Sequence, residues 1–328
     1  MGYKQLLMNP VVIALASNER YFPGLYCAVA SALRHMAAGT RVDVRVLDGG
    51  ISKSSRNTLS RLAESFGQSV RLGFVPVDDS VFRSAMLGPV LVFRDLSELF
   101  DRPLSSGKIL AAVRDSETLS LGDDSRIVAD AMKLPAQGAY FNSGVMLMDL
   151  DELRKQNFLE RSLEFLETWS GRYRFHDQSA INFVLYGRID ALAEYWNRAS
   201  WQFDEQDEND LGCVLHYTRS APWLRETPGP AQALFEQFAW RAGLAVNQRT
   251  TGLKHTRHQW LWRNALAPLR AASFFVASIL YRISGRRKKA ADYQTAARYW
   301  FNYLRNAPIR RRVYRRRIAE IQNMKFEI

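Results

Sequence analysis

Short apolar runs alternate with amphipathic segments along the first 250 residues, and this alternation limits the possible folds more than any other feature. The run VVIALAS at 11–17 is continuously apolar, which predicts a strand buried on both faces. Residues 23–37 carry apolar side chains at three- and four-residue spacing after Pro23, which predicts a helix. A strand at 42–50, a helix at 53–67 and a strand at 70–78 follow. This order predicts parallel pairing and a three-layer α/β sandwich.

The pattern continues to about residue 218. KILAAVRDS at 108–116, AYFNSGVMLMDL at 139–150 and GCVLHYT at 212–218 predict strands, and residues 151–170 and 177–187 predict helices. In open α/β sheets, ligands bind where the strands end at their carboxyl edge. The residues that follow these strands are therefore candidates for a functional site.

The positive charge of the chain belongs to one end. The whole chain has a formal net charge of +12. Residues 251–328 contain 18 Lys and Arg against three acidic residues, whereas residues 1–250 contain 27 against 30. We therefore divide the chain into an α/β domain at 1–250 and a basic, aromatic-rich helical extension at 251–328.

The extension mixes clustered Arg with Trp, Phe, Tyr and Leu. Helices of this composition lie in the plane of an anionic membrane surface, which makes such a surface the expected partner. A solvated basic extension is the alternative. Nucleic-acid binding is a third possibility, which the slight acidity of residues 1–250 disfavours, so no nucleic acid is expected. The uncharged apolar run at 271–281 is too short to cross a bilayer.

Cysteine usage and the first residues suggest a compartment. Cys27 and Cys213 lie far apart in apolar surroundings, which is typical of buried thiols in a reducing environment. The first 17 residues contain one Lys and an apolar run only as long as a strand, so no signal peptide is predicted. We expect a cytoplasmic protein, peripheral on the inner face of the cytoplasmic membrane.

Four residues after the first predicted strand can support ligand binding: Asn18, Glu19, Arg20 and Tyr21. An amide can pair with the edge of a base and an aromatic ring can stack on it. The alternative is an ordinary loop in which Asn18 caps the following turn.

Asn142, Ser143 and Gly144 interrupt an apolar strand. A glycine in such a place marks a bulge, or the close approach of a ligand or another backbone. Farther along, Asp177 and Gln178 stand at the entry to a helix, where an Asp can also act as the N-cap.

His216 ends the strand at 212–218. A single histidine is more often structural than a metal ligand. Taken alone, this residue therefore decides nothing.

Seven segments occur along the chain in a fixed order. They are ASNERYFPGLYCAVAS, VRVLDGGIS, VFRDLSELFD, AYFNSGVMLMDLDELR, HDQSAIN, EYWN and LHYTRSAPW. Together, from about residue 11 to 223, they resemble glycosyltransferase family 8, the retaining, nucleotide-sugar-dependent enzymes that include lipopolysaccharide galactosyl- and glucosyltransferases. The resemblance implies a nucleotide-diphospho-sugar transferase (GT-A-like) three-layer sandwich with a mostly parallel central sheet.

The resemblance assigns donor-binding roles around the base. Asn18 would face the uracil edge of a UDP-sugar and Tyr21 would stack on the ring. Glu19 and Arg20 would lie near the base and ribose. Arg219 stands close to where the family has a diphosphate-binding Lys, and it could replace that cation.

The resemblance also assigns roles around the sugar. Asn142, Ser143 and Gly144 would line the donor sugar. Asp177 and Gln178 would lie next to the reacting anomeric carbon, where positive charge develops as the diphosphate departs. These last two are the predicted catalytic residues.

A divalent cation is the third implication of the resemblance. Mn²⁺, or Mg²⁺, would bridge the diphosphate and be held by His216 and the two acids of an Asp-x-Asp motif. In this sequence Leu87, Gly88 and Pro89 stand where those acids belong. The helix and strand that normally precede the motif have no counterpart before Val90.

Other acidic residues could replace the missing pair. If PVLVF occupied the vacant central strand position, Asp95 would come near the metal site. Asp78 and Asp79 are a weaker option. Asp149 and Asp151 form an Asp-x-Asp pattern, but they begin a helix, where acids cap the first turn.

The sequence thus predicts a retaining hexosyltransferase that uses a UDP-sugar donor and a lipopolysaccharide, glycolipid or other cell-surface glycan acceptor. The alternative is a catalytically impaired or inactive relative with the same fold that acts as a membrane-associated scaffold.

Overall fold

A computed structural model describes residues 10–77, 88–200, 212–218, 221–224, 230–244 and 272–284, together with a few isolated helical residues beyond 267. The chain forms two compact units. The first contains Met1–Ala199 and Gly212–Arg219, and the second contains Ser200–Leu211 and Ser220–Ile328. The domain boundary predicted from composition was at residue 250, whereas the two compact units meet in the sequence near residue 220.

The first unit begins with three parallel strands joined by two helices. These elements are β1 (Val11–Ser17), α1 (Phe22–Arg34), β2 (Val42–Asp48), α2 (Lys53–Glu64) and β3 (Val70–Pro76). The strands lie in the order β1-β2-β3, with Val11 opposite Val42 and Val42 opposite Val70. All five elements occur where the periodicity predicted them.

Burial of β1 on both faces was a wrong prediction. Its residues alternate, so that Val11 and Ser17 are buried while Val12 is 44% exposed. Leu47 of β2 and Val75 of β3 are also exposed. The helices α1 and α2 contact each other and the sheet, as two crossovers of the same hand require, so they cover one face only. Several side chains of the other face are exposed, although Asp43, which lies beside Val12 on that face, is buried.

Further elements complete the first unit. They are β4 (Val90–Val92), α3 (Ser97–Phe100), β5 (Leu110–Arg114), α4 (Leu121–Ala131), β6 (Phe141–Met148), α5 (Leu150–Lys155), α6 (Phe158–Thr168), α7 (His176–Val184), β7 (Ile189–Leu192), β8 (Arg198–Ala199) and β9 (Val214–His216). These strands form two groups, β4-β9-β8 and β6-β5-β7. The β4–β9 and β5–β6 pairs are antiparallel, and the other pairs among the described strands are parallel. The predicted mostly parallel α/β arrangement is therefore confirmed.

Two helical details differ from the prediction. The helix expected at 151–170 is broken between α5 and α6, because Asn157 adopts a left-handed conformation with φ of 48°. The helix α4 was not predicted. Ser120 caps it by accepting a hydrogen bond from the Asp123 N–H.

The core of the first unit is built around β5. Leu110, Ala111 and Ala112 of this strand are almost fully buried between β6 and β7. The strand β5 ends at Arg114, and the candidate site begins directly after it. Cys27 and Cys213 are both buried and free, as predicted.

The second unit is helical where the structure describes it. Helix α8 (Pro230–Arg241) buries Leu234, Phe235 and Phe238. Residues 272–283 form a further helix. Within the described ranges, no helix has both the length and the apolar character that a membrane crossing needs.

Candidate active site

Asp115 follows the buried strand β5 and organises the site. Its Oδ1 accepts hydrogen bonds from the backbone N–H groups of Glu117 (2.9 Å) and Thr118 (2.8 Å). Its Oδ2 accepts from Asn142 Nδ2 (2.9 Å) and Gln178 Nε2 (3.2 Å). One carboxylate therefore joins the loop after β5, the beginning of β6 and the start of α7. Sequence reasoning missed Asp115, although an Asp after a strand at the carboxyl edge is a usable signal.

A chain of hydrogen bonds runs from Asp115 to His216. Asn142 Nδ2 donates to Asp115, Asn197 Nδ2 donates to Asn142 Oδ1 at 2.8 Å, and His216 Nδ1 meets Asn197 Oδ1 at 2.9 Å. A carboxylate can only accept, which fixes the Asn142 amide, and the N–H of Gly144 confirms this by donating to Asn142 Oδ1 at 2.9 Å. The direction of every bond follows, so the proton of the imidazole is on Nδ1.

The His216 ring is enclosed by two glycines. It is 7% exposed. A β-carbon on Gly144 would lie 2.0 Å from Cε1 of the ring, and one on Gly88 would lie 2.5 Å from Nε2. Burial lowers the pKa of His216 to about 4, although the negative charge of Asp115 acts in the opposite direction. The imidazole is therefore neutral near pH 7.

The glycine in β6 explains an interruption of the sheet. Ala112 lies opposite Met146, so an unbroken ladder would place Arg114 opposite Gly144, but Arg114 lies opposite Phe141. The polar segment of β6 is therefore a bulge, and the group that approaches Gly144 closely is a histidine ring. The predicted bulge is confirmed, whereas the group that approaches Gly144 is a side chain and not the ligand or backbone that was offered as the alternative.

Ser143 connects the bulge to the start of α7. Its N–H donates to Gln178 Oε1 at 3.1 Å, and its hydroxyl donates to Asp177 Oδ2 at 3.2 Å. Gln178 is buried, whereas Asp177 is exposed. The N-cap of α7 is Phe175, so the capping role considered for Asp177 is wrong. The two predicted catalytic residues thus lie together beside the predicted sugar-binding segment.

Two side chains of the loop after β1, Asn18 and Glu19, form hydrogen bonds that stabilise the local fold. Asn18 caps the turn that follows, because its Oδ1 accepts from the Tyr21 N–H at 3.3 Å. Glu19 accepts from the Ser52 N–H at 2.7 Å and from the Ser55 hydroxyl at 2.9 Å, at the start of α2. The capping interpretation is confirmed for Asn18, and the Glu19 carboxylate stabilises the N-terminus of α2.

Comparisons with known proteins relate this chain to glycosyltransferases. The sequence profile described as "Glycosyl transferase family 8" matches residues 89–227. General stress protein A of Bacillus subtilis (strain 168) is 25% identical over 275 residues, which is 69% of this chain and 91% of that protein. Lipopolysaccharide 1,2-glucosyltransferase of Escherichia coli (strain K12) is 32% identical over 140 residues, or 39% of this chain and 40% of that protein.

A glycosyltransferase family 8 domain therefore occupies residues 89–227. A crystal structure of galactosyltransferase LgtC in complex with donor and acceptor sugar analogs has a TM-score of 0.55 and 20% identity, covering 76% of this chain and all of that one. That likeness confirms the predicted GT-A-like α/β fold. The family domain and the related enzymes identify the chain as a glycosyltransferase.

The strand β4 does not lie where the sequence predicted it. The prediction that PVLVF fills the central strand position is wrong. Along one edge β4 pairs with β9, and along the other the Val92 N–H donates to the hydroxyl of Ser31 in α1 at 3.0 Å. A helix side chain stands where a neighbouring strand would be.

This position also excludes Asp95 as a partner of His216. Val90 lies opposite His216, and the strand runs away from it toward Asp95. Asp95 Oδ1 accepts from the Ser97 N–H at 2.9 Å and so shapes the turn before α3. The metal ligand predicted at Asp95 is therefore wrong.

The described residues do not fit the expected Mn²⁺ or Mg²⁺. Such ions want several oxygen ligands, but His216 has no carboxylate beside it that is free to bind, since both oxygens of Asp115 already accept two hydrogen bonds each. In the part of the chain that the structure describes, no three His, Cys, Asp or Glu side chains cluster as metal ligands would.

The remaining acidic candidates divide into two cases. Asp149 caps α5 by accepting from the Glu152 N–H at 3.0 Å, and Asp151 pairs with Arg154, so the structural interpretation of this pair is confirmed. Asp78, Asp79 and Arg219 lie outside the described residues.

Proposed function

We propose that this glycosyltransferase moves a hexose from a UDP-sugar to a lipopolysaccharide or other cell-surface glycan acceptor, with retention of the anomeric configuration. The observation that carries the proposal is the joining of Asp177, Ser143 and Gln178 by hydrogen bonds at the carboxyl edge of the sheet. The LgtC complex with donor and acceptor sugar analogs supports a nucleotide-sugar donor and a glycan acceptor in general.

In the proposed reaction the bond from the anomeric carbon to the diphosphate breaks, and a bond to an acceptor hydroxyl forms on the same face of the sugar. The hydroxyl proton leaves with the diphosphate. Positive charge grows on the sugar ring during this exchange, and the exposed carboxylate of Asp177 can stabilise it. Gln178 is held from both ends of its amide, so it positions the Ser143 backbone and the sugar-binding segment.

The donor nucleotide would lie along the loop after β1. Tyr21 is half-buried and can stack on a base, and the guanidinium of Arg20 lies 5.9 Å from the centre of that ring. Asn18 would read the base edge. Arg219 would supply a positive charge to the diphosphate.

The alternative is a relative that keeps the fold and has lost catalysis. It is supported by the missing acidic pair and by the absence of a metal-binding cluster among the described residues. Under this alternative the chain would act as a scaffold.

Calorimetric titration with UDP and with UDP-hexoses, each with Mn²⁺ and with EDTA, separates these functions. Binding followed by slow donor hydrolysis supports the transferase. Absence of binding under both conditions supports the scaffold.

We also propose that the second unit associates with an anionic membrane surface. The helix at 272–283 exposes Val276, Ile279, Leu280 and Ile283 at three- and four-residue spacing, with Ile283 78% exposed. The surrounding sequence is strongly basic. An exposed apolar stripe next to clustered Lys and Arg is the pattern of a helix that lies in the headgroup region.

Sedimentation with liposomes tests this proposal. The chain should sediment with phosphatidylglycerol-containing vesicles at low salt and much less with neutral phosphatidylcholine vesicles. An Ile279→Ser, Ile283→Ser double variant should lose most of the binding, while Ala272→Ser, at the same helix but without a large side chain, should keep it. Equal sedimentation of the wild type with both vesicle types would contradict the proposal.

A further inference from the structure

In the part of the chain that the structure describes, Asn197 and two glycines lie against the side chain of His216, and none of these three residues carries a carboxylate. Asn197 takes the proton of Nδ1, the bulge glycine Gly144 lies against the ring, and Gly88 stands beside Nε2. A histidine that serves as a metal ligand faces other ligands across the ion. Here the ring faces backbone at both glycines.

We infer that His216 is a positioning residue of the donor site and not a ligand of a metal ion. The inference deepens the proposed function and rests on it for the identity of the ligand, a uridine diphosphate. The packing and the hydrogen-bond chain that support it do not depend on that ligand.

His216 acts through Asn197 and Asn142. Its Nδ1–H occupies Asn197 Oδ1, so that the amide hydrogens of Asn197 point to Asn142. Asn142 in turn holds the Gly144 N–H and the carboxylate of Asp115. The imidazole therefore fixes one end of the bulge.

Gln178 fixes the other end of the same bulge. It donates to Asp115 and accepts from the Ser143 N–H. The bulge and the Asp115 carboxylate thus form one closed unit, which places the Ser143 hydroxyl at Asp177. If the imidazole loses its hydrogen bond, the segment predicted to line the donor sugar loses its support.

Paramagnetic broadening by Mn²⁺ tests whether His216 binds metal. The full chain, labelled with ¹⁵N-histidine, contains five histidines. The His216 signals are identified by their loss in a His216→Asn variant, and exposed His176 serves as the control for non-specific Mn²⁺. We expect the His216 signals to show the Nδ1–H tautomer and to keep their width when one equivalent of Mn²⁺ is added, alone or with saturating UDP. Broadening of His216 ahead of His176 would overturn the inference.

Two substitutions of His216 separate positioning from metal binding, because each places a polar group near a different nitrogen of the imidazole. His216→Asn places an amide near Nδ1 and can still donate to Asn197, whereas His216→Gln places its amide near Nε2 and cannot. We expect UDP affinity within about threefold of wild type for His216→Asn and a loss of about tenfold for His216→Gln, in EDTA as well as in Mn²⁺. Losses that occur only in Mn²⁺, and equally in both variants, would overturn the inference.

The outcomes for the inference and for the proposed function are distinct. If UDP and UDP-hexoses do not bind under any condition, the proposed donor is wrong, and the broadening experiment with Mn²⁺ alone still decides the role of His216. If UDP binds and His216 broadens, the donor stands and the positioning role is wrong.

Discussion

The imidazole of His216 lies so close to Gly144 that a single β-carbon would overlap it, at 2.0 Å from Cε1 and 2.4 Å from Nδ1. These two residues belong to strands in different groups of the sheet, β9 and β6. Their contact therefore locks the end of one strand group to the bulge in the other.

Gly144→Ala should displace the ring and break its hydrogen bond to Asn197. We expect a loss of about 1–3 kcal/mol in the free energy of unfolding, as overpacking of a buried site usually costs. Denaturant unfolding measures it. Gly212→Ala is the matched control, because its β-carbon would meet only the flexible side chain of Arg94 at 3.4 Å and ordinary contacts beyond. Equal stability of the two variants would contradict the close packing.

Asp115→Ala should destabilise the site more than any exposed acid does. It removes the acceptor of four hydrogen bonds, and we expect a loss of about 2–4 kcal/mol in the free energy of unfolding. Asp151→Ala, which removes an exposed acid of α5, should change it by less than about 0.5 kcal/mol. Similar effects of the two changes in chemical denaturation would refute the organising role of Asp115.

Asp177→Asn should separate catalysis from stability. The carboxylate is exposed and has one side-chain partner, Ser143, so unfolding should change by less than about 0.5 kcal/mol. Donor hydrolysis should fall by about a hundredfold or more, because the amide cannot stabilise positive charge on the sugar. Product release from a UDP-hexose measures it. Retention of wild-type turnover would remove Asp177 from the reaction.

Stability should fall as the pH is lowered through the range set by His216. Its pKa is lowered to about 4 in the folded chain, whereas an unfolded histidine titrates near 6.5. Between these values the unfolded chain binds the extra proton, so the contribution is fully present above about pH 6.5 and is lost toward pH 4.

The size of this effect is about 3 kcal/mol over the whole window. The measurement is the difference in unfolding free energy between wild type and His216→Asn at pH 7.5 and at pH 5. The wild type should lose more stability than the variant on acidification. A constant difference would show that His216 is not buried in its neutral form.

Much of the fold followed from local pattern. The apolar run at 11–17 placed β1, and the alternation of short apolar segments with amphipathic ones placed β2, β3, α1 and α2, because such patterns report which side chains must be buried. The break between α5 and α6 at Asn157 could not be predicted from the same pattern. A single left-handed residue leaves the periodicity on either side unchanged.

The site was predictable only in part. Asp177, Gln178 and Ser143 were found because they occur in segments that resemble a family, and the structure joins them. Asp115 and Asn197 were missed because their importance lies in contacts across the fold. The residues around Asn197 do not indicate that it connects His216 to Asn142, which lies 55 positions away in the sequence.

The position of Asp95 shows a further limit. The sequence revealed that an acidic pair was missing, but the location of PVLVF depended on which strand it would pair with. Its partner is β9, and the hydroxyl of Ser31 takes the other edge. Strand pairing between distant segments is a property of the whole core.

The exposed apolar side chains on one face of the sheet formed by β1, β2 and β3 have a consequence for solubility. Val12, Leu47 and Val75 are exposed on it, and such a surface would stack against a second copy if it were uniformly apolar. Arg45 lies in the middle strand, pairs with Asp43 and reaches across Gly73. A charge at the centre of an apolar sheet face opposes face-to-face aggregation, as gatekeeper residues do. We therefore expect Arg45 to contribute to the solubility of this domain.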